Sequence, residues 1–366
     1  MKIVSEKISF GDSFTLESGQ VLAGFKLMIE TYGELNSDKT NAVLVCHAFS
    51  GNHHAAGTSD GETKSGWWDE IIGDGKTIDT TKFFVVSLNN IGGCHGSSGP
   101  TTIATESGQP YGANFPEVSV SDWVETQKLL ADHLGINCWE MVAGGSLGGM
   151  QALQWAISYP ERIKKAAIIA ASSKISTQNI ALNEVAREII RKDEHFHNGD
   201  YLTKGELPKN GLKAARMLGH ITYLSESNMS KRFGRKLQDP ENKMDAGVNY
   251  EVENYLQYKG EQFSKTFDAN SYILMTKAMD SFDPAKDFDD DLVKCLQSIQ
   301  AKLLIASFDS DWLFPKEYGL DIQMSAIKAG IDSTYIELDG DYGHDSFLFY
   351  SVQYAAALEN FLNSNG

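Results

Sequence analysis

Apolar residues come in short, dense runs along this chain, and the runs alternate with segments of helical period. Ala42–His47 and Phe83–Leu88 are almost wholly apolar. They are too short for ordinary helices, which predicts buried strands. Ser119–Leu134 carries apolar positions at helical spacing and predicts a helix. Trp139–Ala143 predicts a strand, and Gly149–Tyr159 a helix that stops at Pro160. Ala166–Ala171 predicts a further strand. Runs that are apolar throughout are buried on both faces, so they belong to a mostly parallel sheet with helices packed on it. Lys2–Phe10 and Val21–Tyr32 alternate apolar with polar positions instead and predict a β-rich start.

The alternation of strand and helix breaks near Lys174. From about 176 to 297 the pattern is mainly helical, with charged runs. Strand character returns at Lys302–Phe308 and Thr334–Leu338, and a helix at roughly Phe349–Leu362 follows. The expected organisation is one α/β core in two parts, residues 1–175 and 298–366, with a helical insertion at 176–297 acting as a lid. No internal repeat or low-complexity tract interrupts it.

The turn between the strand at 139–143 and the helix at 149–159 carries chemistry. It reads Gly144-Gly145-Ser146-Leu147-Gly148, a match to G-x-S-x-G. A serine on such a strand-to-helix turn projects its hydroxyl away from the sheet, and the flanking glycines avoid clashes in so sharp a bend. Three fixed positions recur by chance, so the strand-turn-helix context carries the assignment. The competing reading is a glycine-rich packing turn. The amide of Leu147, at the helix start, is a candidate oxyanion donor.

A serine hydroxyl needs a base, usually a histidine oriented by a carboxylate. The α/β-hydrolase fold places these in chain order Ser, Asp/Glu, His, in loops after later strands. Asp309 and Asp311 follow the strand ending at Phe308. His344 follows the strand ending at Leu338 and is the sole histidine after His220. The expected triad is therefore Ser146, Asp311 and His344. Asp311 is preferred to Asp309 because it lies deeper in its loop, although pattern does not separate the two. The second oxyanion donor is expected from the loop His47–Gly57, with the Phe49 amide as candidate. His47, His53 and His54 in the same loop invite a metal reading, but no carboxylate sits at a motif spacing, so no metal is expected.

Composition narrows the partners. The 366 residues carry a formal net charge of −17, which argues against nucleic acid or an anionic membrane surface. Any anionic substrate then needs a local basic patch. The densest candidate is Lys231-Arg-Phe-Gly-Arg-Lys236. No apolar run reaches transmembrane length, and Met1–Phe10 lacks the apolar core of a signal peptide, which makes a cytoplasmic location the default. Four widely spaced cysteines, with no C-x-x-C, argue against disulfides and against a structural zinc site. Cys94, in a glycine-rich loop, is expected to pack rather than react.

With these residues placed, the chain resembles the homoserine O-acyltransferase family of the α/β-hydrolase superfamily. The resemblance rests on His47–Gly51, Gly66-Trp-Trp-Asp69, Asn89–Pro100, Gly144–Trp155, Tyr159-Pro-Glu-Arg162, Gly219–Ser225 and Gly343-His-Asp345. It implies a ping-pong transfer of an acyl group from acyl-CoA, through Ser146, to the hydroxyl of L-homoserine, for methionine synthesis. It implies no tightly bound cofactor and a homodimer. Arg216 corresponds to the residue expected to bind the substrate carboxylate, and Asp345 to the one expected to bind its ammonium. The family divides by donor. In the succinyl-using branch an arginine follows the tryptophan of the aspartate loop; here Leu313 stands there. An apolar residue leaves a succinyl carboxylate unpaired, so the expectation is acetyl-CoA. Asn89–Gly93 and His53–Gly57 point the other way, toward succinyl-CoA. A plain esterase on the same triad is one alternative; a non-enzymatic hydrolase-like binding protein is another, against which stands the presence of all three triad candidates.

Overall fold

The structure is a computed structural model that describes residues 1–58, 64–239 and 249–364. Eight strands form the main sheet: β1 (Ile3–Phe10), β2 (Phe25–Tyr32), β3 (Ala42–Cys46), β4 (Phe84–Asn89), β5 (Met141–Gly145), β6 (Lys165–Ile169), β7 (Lys302–Phe308) and β8 (Ser333–Leu338). Their order across the sheet is β1-β2-β4-β3-β5-β6-β7-β8. β2 pairs antiparallel with both neighbours. From β4 to β8 every pairing is parallel. β3, β5 and β6 are buried at every position, as their unbroken apolar runs require. Lys165 is the charge inside such a run. Its Nζ is satisfied by Glu140 Oε1 at 2.9 Å and by the Leu362 carbonyl at 2.7 Å.

α1 (Val120–Leu134) and α2 (Leu147–Ser158) pack on the sheet. α1 starts where the sequence signals it. Ser119 Oγ accepts from the Asp122 amide, and the Asp122 carboxylate accepts from the Ser119 amide. Between β6 and β7 lie α3 (Thr177–Arg191), α4 (Tyr201–Lys204), α5 (Lys209–Tyr223), α6 (Glu226–Arg232), α7 (Glu251–Ser264), α8 (Ala269–Ser281) and α9 (Leu292–Leu296). Among the described residues this stretch adds no strand to the main sheet. α10 (Lys316–Ala329) links β7 to β8, and α11 (Val352–Asn363) follows β8. No helix of the described residues is long and apolar enough to cross a membrane.

Three expectations shift. Val21–Tyr32 is not one strand: Val21–Leu22 pairs with Phe14–Thr15, and the chain turns at Gly24. Gly24 has φ +100°, and a Cβ there would lie 2.9 Å from the Phe10 carbonyl oxygen. The strand expected at 139–143 runs instead to Gly145, and Trp139 makes only an isolated bridge to Ile163. α11 begins at Val352 because Gly343–Leu348 coils into a 3-10 turn first.

Candidate active site

Ser146 stands between the end of β5 and the first residue of α2. Its backbone has φ +57° and ψ −124°, a strained conformation for a side-chain-bearing residue. The glycines around it are required by contact. A Cβ on Gly144 would sit 2.5 Å from the backbone of Gly148, and one on Gly148 would sit 2.1 Å from the Cys46 carbonyl oxygen. Gly145 also tolerates nothing larger, since the Phe347 ring occupies the space 2.2 Å from its Cβ position.

The structure brings the three expected residues together. His344 Nε2 lies 2.8 Å from Ser146 Oγ, and its Nδ1 lies 2.7 Å from Asp311 Oδ2. Asp311 Oδ1 accepts from the amides of Leu313 and Phe314 at 3.0 and 2.8 Å, which fixes the carboxylate. An ionised carboxylate can only accept, so Nδ1 carries the proton and Nε2 is free to accept from the serine. Asp309 plays a different part: its Oδ1 accepts from the Gly340 amide at 2.8 Å.

Burial alone would lower the pKa of His344, but the Asp311 charge, the hydrogen bond to it and the nearby Asp345 charge outweigh that and raise it. A base must be neutral to accept a proton. The capacity of His344 to take the Ser146 proton is therefore expected to rise with pH along a limb centred above the usual histidine value. A pH profile of the acylation rate checks this, and a limb below that value would contradict it. The same raised pKa means that the His344–Asp311 pair stabilises the fold below the unfolded histidine pKa. That stabilisation is lost as pH climbs through the folded one.

Phe49 and its neighbours Ala48 and Ser50 border the same cavity as Ser146. Leu147 opens α2, where a helix amide has no intrahelical acceptor. A buried polar lattice that pattern reading missed supports this loop. Gln151 Nε2 donates to the His47 carbonyl at 3.3 Å. Gln151 Oε1 accepts from Asn90 Nδ2 at 3.0 Å and Gln127 Nε2 at 2.7 Å. Trp155 Nε1 donates to Gln127 Oε1 at 2.6 Å. The available signal was two glutamines, Gln151 and Gln154, on an otherwise apolar helix.

The loop histidines serve this scaffold. Burial pushes His47 down to about 4. Its Nδ1 donates to the Ala48 carbonyl at 2.7 Å, and its Nε2 accepts from the Asn90 amide at 3.2 Å. His54 Nδ1 meets the buried Glu30 Oε2 at 2.8 Å, which also accepts from Tyr32 Oη at 2.5 Å. His53 lies beside this pair, half-buried, and burial lowers its pKa. Cys94 Sγ accepts from the Asp268 amide at 3.4 Å, and burial pushes its thiol up to about 12.

The cavity above Ser146 encloses about 130 Å³, and Arg216, Tyr223, Leu313, His344 and Asp345 are among the residues that line it. Arg216 comes from α5 and Asp345 from the turn after β8. The guanidinium lies 5.3 Å over the Tyr223 ring and 4.7 Å over the Phe263 ring. Its Nη1 is buried with no hydrogen-bond partner. Burial raises the pKa of Asp345, while His344, Arg216 and Lys259 pull it back. The cavity thus pairs an open guanidinium with a carboxylate beside one nucleophile. The Lys231–Lys236 run is elsewhere: its four cations are exposed and none borders the cavity.

Fold and site together define an α/β hydrolase with a serine nucleophile's geometry. The chain matches the alpha/beta hydrolase fold family over residues 41–349. It is 52% identical to a homoserine O-succinyltransferase of Neisseria meningitidis serogroup B, over 99% of this chain and 96% of that one. It is equally 52% identical to a homoserine O-succinyltransferase of Stutzerimonas stutzeri, with the same coverage. Among solved structures, a homoserine O-acetyltransferase from Bacillus anthracis superimposes with a TM-score of 0.92 at 28% identity, covering 100% of this chain and 98% of that one. Esterase E22 superimposes with a TM-score of 0.90 at 30% identity, covering 99% and 100%. The chain belongs to the homoserine O-acyltransferase family of the α/β-hydrolase superfamily.

Proposed function

We propose that this protein transfers an acyl group from acyl-CoA to the hydroxyl of L-homoserine by a two-step, ping-pong reaction, as a step toward methionine. The observation that carries the reading is the Ser146–His344–Asp311 relay opening into a cavity that also holds Arg216 and Asp345. His344 takes the Ser146 proton as Oγ attacks the thioester carbonyl, and passes it to the departing CoA sulfur. The amides of Phe49 and Leu147 receive the oxyanion. The homoserine hydroxyl then attacks the acyl-serine ester while His344 accepts its proton. Return of that proton to Oγ releases O-acylhomoserine. Arg216 holds the acceptor carboxylate, for which a planar two-pronged donor is suited, and Asp345 holds the ammonium. Helices α3, α5 and α8 border the cavity and serve as its lid. An acceptor held by both charges outcompetes water for the acyl-enzyme.

For the donor we take succinyl-CoA. The relatives at 49–52% identity over nearly the whole chain are named succinyltransferases, whereas the acetyltransferase neighbour stands at 28%. Acetyl-CoA is the second reading, favoured by Leu313, whose side chain gives the cavity an apolar wall. Initial rates of CoA release with each donor, with and without homoserine, decide between them. Succinyl preferred at least tenfold supports the proposal. Acetyl preferred keeps the mechanism and restores the weight of Leu313. CoA release indifferent to homoserine would make the protein a hydrolase. Arg216→Ala is expected to raise KM for homoserine about a hundredfold, the scale of one lost charge-assisted contact. An unaltered KM would remove Arg216 from the acceptor site.

A further inference from the structure

Cations extend outward from Arg216 across three helices. α5 carries Arg216 and His220, one turn apart, and α7 carries Tyr255 and Lys259, one turn apart. Arg232 ends α6. α5 and α7 approach closely because position 260 is glycine: a Cβ there would lie 2.6 Å from the Lys213 carbonyl oxygen. The Arg232 guanidinium sits 4.6 Å from the Tyr255 ring centre, and Lys259 Nζ sits 5.8 Å from the same centre. His220 meets the edges of Tyr223 and Tyr255 at 5.8 and 5.7 Å.

Asp345 is the nearby opposite charge that acts on Arg216 and Lys259, but it makes no ion pair with them. The chain has 49 acidic residues against 32 Lys and Arg, yet among the described residues Arg216, Arg232 and Lys259 form no ion pair. His220 is 5% exposed, and its Nδ1 has no hydrogen-bond partner. Burial and then Arg216, Lys259 and Arg232 push this histidine down to about 3. Burial, Arg216 and Arg232 likewise lower the pKa of Lys259, with Asp345 opposing them. Like charges held together this way repel, and an anion between them relieves the repulsion.

We propose that Arg232 and Lys259, carried on Tyr255, bind the diphosphate of the donor's nucleotide portion, while Arg216 serves the cavity behind them. The inference rests on the acyl-CoA reading. It selects the donor over the acceptor by position. Arg216 borders the cavity, but Arg232 is exposed and Lys259 half-buried, and neither borders it. An acyl donor carries its thioester and its diphosphate at opposite ends of the pantetheine arm, so one end reaches Ser146 while the other stays at the mouth. Within the basic run at 231–236 this singles out Arg232; Arg235 is turned to Tyr250, 5.4 Å from its ring centre.

The test compares acyl-CoA with acyl-pantetheine, which has the same thioester and no phosphate. The ratio of their kcat/KM values is measured for the wild type, Arg232→Gln, Lys259→Gln and, as a neighbouring charge, Lys231→Gln. The ratio is expected to fall about tenfold in each of the first two and to hold in the third; tenfold is the lower end for a charge-assisted contact, as suits cations that sit outside the cavity and are more screened by water than Arg216. Because it is a ratio, a general loss of folded enzyme leaves it unmoved. An unmoved ratio in Arg232→Gln and Lys259→Gln, or a rise in the homoserine KM in its place, overturns the site. Calorimetric titration with CoA alone separates this site from the transferase reading. Tenfold weaker CoA binding in the two variants supports the site even if no homoserine is acylated. A wild type that does not bind CoA overturns it.

Discussion

Ser146→Ala is expected to lower kcat for acyl transfer on the order of a million-fold, leaving a folded protein. The fold should persist because alanine at φ +57° meets the same backbone cost as serine. Nothing buried loses its partner except His344 Nε2, which faces the cavity. Rapid mixing with acyl-CoA should give no burst of free CoA, since no acyl-enzyme forms. A fluorophosphonate probe should label the wild type and miss the variant. A variant that still shows a burst would place the nucleophile elsewhere and dissolve the triad.

Asp311→Asn is expected to cost about ten-thousand-fold in kcat with little loss of stability. The reason lies in what the carboxylate touches. Oδ1 accepts from two backbone amides, so an asparagine would turn its carbonyl oxygen to them and its NH2 toward His344 Nδ1. The imidazole would then carry its proton on Nε2, where it cannot accept one from Ser146. Near-normal turnover, or a melting temperature many degrees lower, would show that Asp311 supports the loop rather than the histidine.

Much of this was legible because the apolar runs are dense and unbroken. β3 and β7 fall where Ala42–Cys46 and Lys302–Phe308 place them, and Ser119 announces α1 through its cap. The Ser-Asp-His order picked Asp311 and His344 from residues far apart, since few candidates follow the later strands. What pattern could not supply was contact. Asp309 and Asp311 are alike in sequence and differ only in what their oxygens face. The break at Gly24 depends on the nearness of the Phe10 carbonyl, which no local window contains. The Asn90–Gln127–Gln151 lattice joins three segments whose polar residues look ordinary one at a time. Glu30, 2% exposed, would have been read as a wet-face residue of an alternating strand, yet it is buried against Tyr32 and His54.

The Phe347 ring fills the gap beneath Gly145, and the Phe347 carbonyl accepts from Trp68 Nε1 at 2.9 Å. On a ribosome, Trp68 and the serine turn emerge long before the segment that carries His344 and Phe347. The nascent chain therefore displays Ser146 with neither its base nor the ring that seals its strand. Throughout that interval Ser146 lacks the imidazole that accepts its hydrogen bond in the finished fold. The Ser146–His344–Asp311 relay is complete only when β7, β8 and the turn after them have been translated and docked, so the last part of the chain to be made closes the site.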